Sequence, residues 1–429
     1  MKYRMTALAA VALASAGAAQ QNGHRVVAPE GAVVAVAAQD SMLTLEDALA
    51  LASTGQPRIE ANEREAEASD QAAAAARSLP DPQLSMGIQD LPVLGRNAFS
   101  LTNDDFTMYT IGLMREQVRR SKREADAGKI EAEALVSRKQ ASAEERHIRR
   151  DAMIAWVNAV EARAKQRVIK LLISDLMTGR KVIASGIPTG TSAPSLALQA
   201  DAEIALERSQ LAEAESAESH ARAELARWIG PAASRPLPDV VPDIAVPLDM
   251  VPPIDAHPEV QVALAQQQVA HREIEVAQVD RKPDITWSVS LGLRPKYSQM
   301  ISAGVSIPLQ TNRRNKQDRL ISAARLRAGA AALKAEDARR ELTSEYQTAV
   351  ADYRGATAEI ARIDQDAVPS LEAAFKTAEA RYQGGGGTLD QPFAIARRYE
   401  EVAIQSIEAH ARRARAAAEI LHVHGEGHQ

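Results

Sequence analysis

Apolar and polar residues alternate along two stretches between residues 283 and 309. Alternation with a period of two places one set of side chains on each face of a β-strand. A short polar turn separates the stretches, so we predict an antiparallel hairpin over 283–309. Each strand has about the 9–11 residues that a tilted strand needs to cross a bilayer. The apolar positions are Ile285, Trp287, Val289, Leu291, Leu293, Ile301, Ala303, Val305 and Ile307.

The same alternation occurs once earlier in the chain. Two more stretches carry apolar residues at every second position, and a loop over 92–104 separates them. We therefore predict a second hairpin, over 82–114. Its apolar positions are Leu84, Met86, Ile88, Tyr109, Ile111 and Leu113.

Most of the remaining chain has the three- and four-residue spacing of apolar positions that is typical of helices. Thr44 is expected to cap a first short helix, and Pro57 is expected to open the next. The longest predicted helix, 121–184, would extend roughly 95 Å at 1.5 Å per residue. The other predicted helices are 195–229, one that begins at Pro258, 312–366, 370–382 and 393–421.

The order of these elements occurs twice. Pro57 and Pro258 each begin a helix, Pro82 and Pro283 each precede a strand, and both pairs are 201 positions apart (258 − 57 and 283 − 82). A repeated order of helix, hairpin, long helix, glycine-containing turn and helix indicates an internal duplication. We divide the chain into a first repeat (43–230), a proline-rich connector (231–256), a second repeat (257–421) and a histidine-containing tail (422–429).

Composition and the N-terminus narrow the class of protein. The 429 residues include no cysteine, so disulfides are excluded, and the formal net charge of -5 gives no basic surface for nucleic acid. Lys2 and Arg4 precede the apolar run Ala7–Ala14, and small residues follow at Ala16 to Ala18. This pattern predicts a signal peptide over 1–19, followed by a flexible leader over 20–42. No later stretch reaches about 18 consecutive apolar residues, so any entry into a membrane would use strands.

Four strands of membrane-crossing length require strands from other chains. An open sheet edge in lipid leaves backbone groups without hydrogen bonds, and the smallest common membrane barrels have about eight strands. The pattern therefore predicts a homo-oligomer that shares one barrel. A soluble sheet beside a helical bundle would show the same alternation and stays open as an alternative. The predicted lipid-facing residues are Ile285, Trp287, Val289, Leu291, Ile301 and Val305.

The order and spacing of these parts resemble the TolC family of outer-membrane channels over most of 43–421. The similar parts are the segment Thr44–Ala52, the helix from Pro57, both hairpins, the segment Gly304–Leu309 before Asn312, and the Gly190-Thr191 and Gly387-Thr388 turns. The resemblance implies a mainly α fold with a membrane β-barrel, in which a homotrimer combines its strands into twelve. It also implies a long periplasmic α-helical barrel.

Within this family, several short segments most resemble the branch associated with heavy-metal resistance (CusC/CzcC-like). The resemblance implies an exit duct of a tripartite efflux system, with a periplasmic adaptor (membrane fusion) protein, an inner-membrane RND pump and outer-membrane lipids as partners. Drug efflux or type I secretion through the same fold stays open, as does a periplasmic coiled-coil scaffold. The segments are Asp81-Pro82, Asp90–Val93, Ala98–Leu101 and Ile111–Glu116.

The glycine-containing turns are where the resemblance places a gate and the adaptor-docking surface. Members of the family often carry aspartates just after the Gly-Thr turn, but here Phe393 and Ala396 occupy those positions. An acidic gate near Asp390, an apolar constriction at Phe393 that gates by dewetting, and simple packing of Phe393 therefore all stay open. The candidate residues are Gly186, Gly190, Thr191, Asp201, Gly387, Thr388, Asp390, Phe393 and Arg397.

Catalytic motifs are absent from the sequence. It has no phosphate-binding loop with a lysine, no His-Glu-x-x-His and no Gly-x-Ser-x-Gly, so we expect no enzymatic activity and no cofactor. His422, His424 and His428 lie within seven residues and could bind Zn, Cu or Ni, although a solvated tail is the simpler interpretation.

Overall fold

Eight α-helices and four strands make up the part of the chain that the structure, a computed structural model, describes: residues 41–188, 193–383 and 390–425. The first repeat contains α1 (Leu45–Ala52), α2 (Pro57–Ala76), β1 (Gln83–Gln89), β2 (Met108–Gln117), α3 (Arg120–Gly186) and α4 (Pro194–Ile229). The second contains α5 (Pro258–Val279), β3 (Ile285–Leu293), β4 (Met300–Ser306), α6 (Gln317–Arg362), α7 (Val368–Gln383) and α8 (Asp390–His424). Mainly helical structure with one small sheet is the class that the sequence predicts.

The helix starts follow local sequence signals. Thr44 caps α1 by accepting a hydrogen bond from the Asp47 amide at 3.1 Å. Pro57 and Pro258 occupy the first positions of α2 and α5, where a missing N–H costs nothing. The repeat predicted from these two prolines is therefore visible as two helices that each precede a hairpin.

Helix boundaries differ from the prediction at the α6–α7 junction and at the end of α8. A π-helical segment, Ile363–Ala367, joins α6 to α7 without a gap, whereas the sequence suggests a break near Asp366. The last helix continues to His424 rather than ending at Leu421, since the first residue unsuited to a helix there is Gly425 with a φ of 74°. His422 and His424 are thus helical residues and do not belong to an extended tail.

The core lies where α3 packs against α2, α4, α5 and α8. Trp156 is fully buried there and donates a hydrogen bond from Nε1 to the Leu43 carbonyl at 3.1 Å. Alanines occupy many of the buried positions of α3, and their small side chains allow helices to approach closely. Val157 and Val160 of α3 are buried, whereas Leu171 is exposed.

The four strands form one antiparallel sheet in the order β1-β2-β3-β4. The pairing of β2 with β3 joins the two repeats, and each hairpin supplies one edge strand. None of the described helices has a stretch apolar and long enough to cross a membrane.

Candidate functional site

The register of the sheet places the alternating apolar residues of all four strands on one face. Leu84 lies opposite Leu113, Leu113 opposite Val289, and Val289 opposite Ala303. Side chains at paired positions point to the same side of a sheet. We call this the apolar face, and Arg115 and Gln117 of β2 lie on it only at the end near the helices. Its apolar members are Leu84, Met86, Ile88, Tyr109, Ile111, Leu113, Ile285, Trp287, Val289, Leu291, Leu293, Ile301, Ala303 and Val305. All six predicted lipid-facing residues belong to it.

Nothing within the described chain covers this apolar face. Met86, Ile301 and Val305 are 75%, 77% and 67% exposed, and no helix packs against the sheet among the described residues. Soluble proteins rarely expose a contiguous apolar surface of this kind. The soluble alternative, in which the helices cover the sheet, therefore lacks the packing that it requires.

Aromatic residues lie at both ends of the apolar face. Tyr109 is at the end near the loops, and Trp287, which lies opposite Arg115, is at the end near the helices. Six residues separate Tyr109 from Arg115 along β2, which is roughly 20 Å at the rise of a strand. An apolar band of about 25 Å between aromatic girdles is typical of membrane barrels.

The opposite face, which we call the polar face, carries serines, threonines and glycines. Gly87, Gly112, Gly292 and Gly304 all lie on it. A Cβ atom at Gly112 would lie 2.7 Å from Ser85 Oγ and 3.2 Å from Ser290 Cβ, so the side chains on this face are crowded. This face also carries Met108, Met114 and Met300, and the glycines and serines between them fit a curved sheet whose polar face is concave.

The helix ends near the glycine-containing turns are joined by ion pairs. Asp201, on α4, accepts hydrogen bonds from Arg180 of α3 at 2.7 and 3.0 Å. Arg397, on α8, donates to both carboxylate oxygens of Glu203 at 3.0 Å. Two of the predicted gate residues, Asp201 and Arg397, thus bridge neighbouring helices.

A cavity of about 320 Å³ lies between α3, α4 and α8 beside these pairs, with Leu176, Gln199 and Glu207 among its lining residues. Glu207 and Glu400 are buried, and each has a carboxylate oxygen that lacks a hydrogen-bond partner in the described chain. Burial, with the nearby Glu207 carboxylate adding to it, raises the pKa of Glu400 to about 7. Sequence reasoning missed this acidic pair, because nothing in the local pattern marks either residue.

The other predicted gate residues remain predictions. Gly186 is the last residue of α3. Asp390 and Phe393 lie in the first turns of α8, and their side chains are outside the described part of the structure. Four further candidates, and His428 of the predicted metal-binding tail, lie outside the described residues. The four are Gly190, Thr191, Gly387 and Thr388.

His422 and His424 have different surroundings at the end of α8. His424 Nε2 is 3.3 Å from the Tyr346 hydroxyl. His422 is buried, and its Nε2 lies 3.4 Å from Glu259 Oε1, which also lies 2.9 Å from His147 Nε2. The structure thus joins one predicted histidine to two residues, from α3 and α5, that the sequence does not single out.

Solved structures of outer-membrane channel proteins share this fold. The outer membrane protein VceC from Vibrio cholerae is 18% identical, with 89% of this chain and 96% of that chain covered at a TM-score of 0.71. CusC, described for its transmembrane channel formation, is 15% identical over 91% of this chain and 94% of that one, with a TM-score of 0.73. The outer membrane channel CmeC from Campylobacter jejuni is 13% identical over 89% and 85%, with a TM-score of 0.73.

The similarity to known proteins is found in the fold and not in the sequence. No protein-family model and no curated protein matches the sequence. The likeness in structure covers 89% of this chain for VceC and 91% for CusC. The chain therefore has the fold of the outer-membrane channel proteins VceC, CusC and CmeC, which is the fold that its resemblance to the TolC family predicts.

Proposed function

We propose that three copies of this chain form an outer-membrane channel that serves as the exit duct of a tripartite efflux system. The uncovered apolar face of the sheet carries this proposal. Lipid chains would cover that face, whereas water makes its exposure unfavourable. The polar face would then line a water-filled lumen, and the helices would extend into the periplasm.

The two edge strands support assembly into a ring. In the β1-β2-β3-β4 order, β1 and β4 run in opposite directions. The β4 edge of one copy is therefore suited to antiparallel pairing with the β1 edge of the next. Three copies would supply the twelve strands that the resemblance implies, with the free backbone groups of every edge hydrogen-bonded.

The cargo that we propose is a heavy-metal cation, delivered by an RND pump through a periplasmic adaptor. The short segments similar to the heavy-metal branch support this cargo, and CusC is among the proteins of similar fold. The TM-scores of VceC and CusC, 0.71 and 0.73, do not separate one cargo class from another. Drug efflux or secretion by the same duct therefore stays open, and we propose that the duct is passive and needs no catalysis.

We place the gate and the adaptor contact at the α3–α4 and α7–α8 turns. The Arg180–Asp201 and Arg397–Glu203 pairs hold adjacent helices together on the described side of these turns. Opening of a helical barrel requires neighbouring helices to separate, so such exposed pairs are suitable contacts to exchange. Asp390 and Phe393 stay the candidates for the constriction itself.

Arginine substitutions on the two faces of β4 test the membrane assignment. Ile301 and Ser302 are neighbours, and both are exposed in the chain, but Ile301 lies on the apolar face and Ser302 on the polar face. Ile301→Arg places a charge toward lipid, which costs about 2–4 kcal/mol at mid-bilayer and less toward either interface, whereas Ser302→Arg faces water. We expect the first variant to be lost from the outer-membrane fraction and the second to assemble.

Comparing Ile301→Arg with Ser302→Arg separates the effect of the face from a general effect of the added arginine. Both substitutions add the same side chain at adjacent positions, so a general effect on export or folding would appear in both. Equal recovery of the two variants from the membrane fraction, or recovery of the unmodified protein without detergent, would contradict the proposal.

Introduced cysteines test the shared barrel, because the chain has no cysteine of its own. Ser85 lies on edge strand β1 and Ser302 on edge strand β4, so a short thiol cross-linker should join chains that carry both Ser85→Cys and Ser302→Cys. We expect covalent dimers and trimers on a denaturing gel. The control places cysteines at Thr110 and Ser290, on the central strands, where only intramolecular products are expected.

A further inference from the structure

Three helices bring two imidazoles and one carboxylate together at the end of α8. His147 comes from α3, Glu259 from the first turn of α5 and His422 from the last turn of α8. Glu259 Oε1 lies 2.9 Å from His147 Nε2 and 3.4 Å from His422 Nε2. The three potential donor atoms all lie within 4.8 Å of one another.

The cluster is held in place by buried structure. The His422 side chain is only 1% exposed, and its Nδ1 has no hydrogen-bond partner in the described part of the chain. His257 is fully buried beside it, with ring centroids 4.9 Å apart, and its Nε2 is 3.1 Å from the His422 carbonyl oxygen. The Glu259 amide donates a 3.4 Å hydrogen bond to His257 Nδ1. The backbone of both Glu259 and His422 is therefore fixed by one histidine.

We propose that His147, Glu259 and His422 bind one divalent metal ion of the zinc type. Imidazole nitrogen and carboxylate oxygen are ligands that Zn²⁺ prefers, and three protein ligands with an open fourth position form a common site. Bonds of about 2.0–2.2 Å in a tetrahedron place neighbouring donor atoms about 3.4 Å apart. The two distances from Glu259 Oε1 to the imidazole nitrogens, 2.9 and 3.4 Å, lie close to this value, and the two imidazoles, whose donor atoms lie within 4.8 Å of each other, would have to move closer together to admit the ion.

An open groove gives the ion access. A cavity of about 390 Å³ reaches His147 and Glu259 from the surface, with Asn62 and Gln140 among its lining residues. His147 and Glu259 are about one third exposed, and His422 closes the inner side. A water molecule in the groove would supply the fourth ligand.

Charged groups surround the cluster. Arg150 lies close by and pairs with Asp151 at 2.9 Å and with Glu419 at 3.8 Å. Hydrogen bonds from His147 and His422 hold the pKa of Glu259 well below its usual range, which keeps its carboxylate ionised and ready to bind a cation. Without metal, the two histidines contact the Glu259 carboxylate directly. With metal, the same atoms would link α3 and α5, which belong to different repeats, to α8.

The test is zinc binding by the full chain, purified in detergent without a histidine tag. Equilibrium dialysis against Zn²⁺ should give one saturable site per chain, and His147→Gln should weaken its affinity by at least about tenfold. His147 is one third exposed, so this variant should keep its fold. His220→Gln, at an exposed histidine on α4 near Glu224, and His428→Gln, in the tail, should bind as the unmodified chain does.

A spectroscopic measurement on the unmodified chain does not depend on whether the variants fold. Co²⁺ in the unmodified chain should give the intense visible absorption of a four-coordinate site, and Zn²⁺ should displace it. Equal zinc affinity of the unmodified chain and His147→Gln, loss of the site in His428→Gln, or a weak six-coordinate Co²⁺ spectrum would each overturn the proposal. The assay involves no transport, so its result is independent of the proposed duct.

Discussion

The middle of α3 and the sheet use similar apolar side chains in opposite ways. Trp156, Val157 and Val160 of α3 are buried by other helices of the same chain. Ile301 and Val305 of β4 lie on a face that no part of the described chain covers. The middle of α3 is thus buried within one chain, whereas the sheet is one portion of a structure that other copies and lipid would complete.

The middle of α3 and the sheet each contain a tryptophan, Trp156 and Trp287. Replacing the two in turn gives the largest expected difference in stability between the regions. Trp156→Ala removes a fully buried side chain and its hydrogen bond to Leu43, which should destabilise the helical region by about 3–5 kcal/mol. Trp287→Ala removes a side chain from the apolar face, where it makes no part of the helical core. Circular dichroism should therefore show a large fall in the helix melting temperature for Trp156→Ala and little change for Trp287→Ala.

A second measurement, the dissociation of the oligomer in detergent, should give the opposite order of effects. Resistance of the oligomer to dissociation in detergent should fall for Trp287→Ala, because the substitution weakens the apolar band. Similar helix melting temperatures for the two variants would show that the regions are not separate in stability.

Much of this division follows from sequence. The period-two stretches and the prolines 201 positions apart place four strands and two repeats, because these signals are local or recur at a fixed distance. The cluster of His147, Glu259 and His422 joins positions more than 100 residues apart on three helices, and no local pattern announces it. The π-helical segment at Ile363–Ala367 ends two residues before Pro369, whose missing N–H marks a disturbance in the sequence but does not fix whether the helix breaks there or continues with a wider turn.

The helical region also contains buried carboxylate oxygens that lack a hydrogen-bond partner in the described chain, and one of them belongs to Glu400. Its pKa is about 7 in the fold and about 4.5 in an unfolded chain, so the folded state binds the proton more tightly. The stability that this provides is complete below about pH 4.5 and is lost as the pH rises to about 7, an effect on the order of 3 kcal/mol. Glu400→Gln should therefore stabilise the protein at pH 8 and change little at pH 4.

Thermal melts at the two pH values measure this difference. Glu213→Gln, at an exposed glutamate of α4, serves as the control and should shift neither melt. Equal effects of Glu400→Gln at pH 4 and pH 8 would mean that the carboxyl is already ionised across the range, with a partner that neutralises it.

The smallest expected effect distinguishes two glycines of the polar face. Gly112 and Gly87 both lie on the polar face, but a Cβ at Gly112 would meet Ser85 Oγ at 2.7 Å and Ser290 Cβ at 3.2 Å, whereas one at Gly87 would meet only Thr110 Oγ1, at 3.7 Å. Gly112→Val should cost about 1–3 kcal/mol through overpacking, and Gly87→Val should cost less. The temperature at which the oligomer dissociates in detergent measures both. If the two variants dissociate alike, the polar face is not crowded enough to be the concave one, and the curvature of the sheet must have another origin.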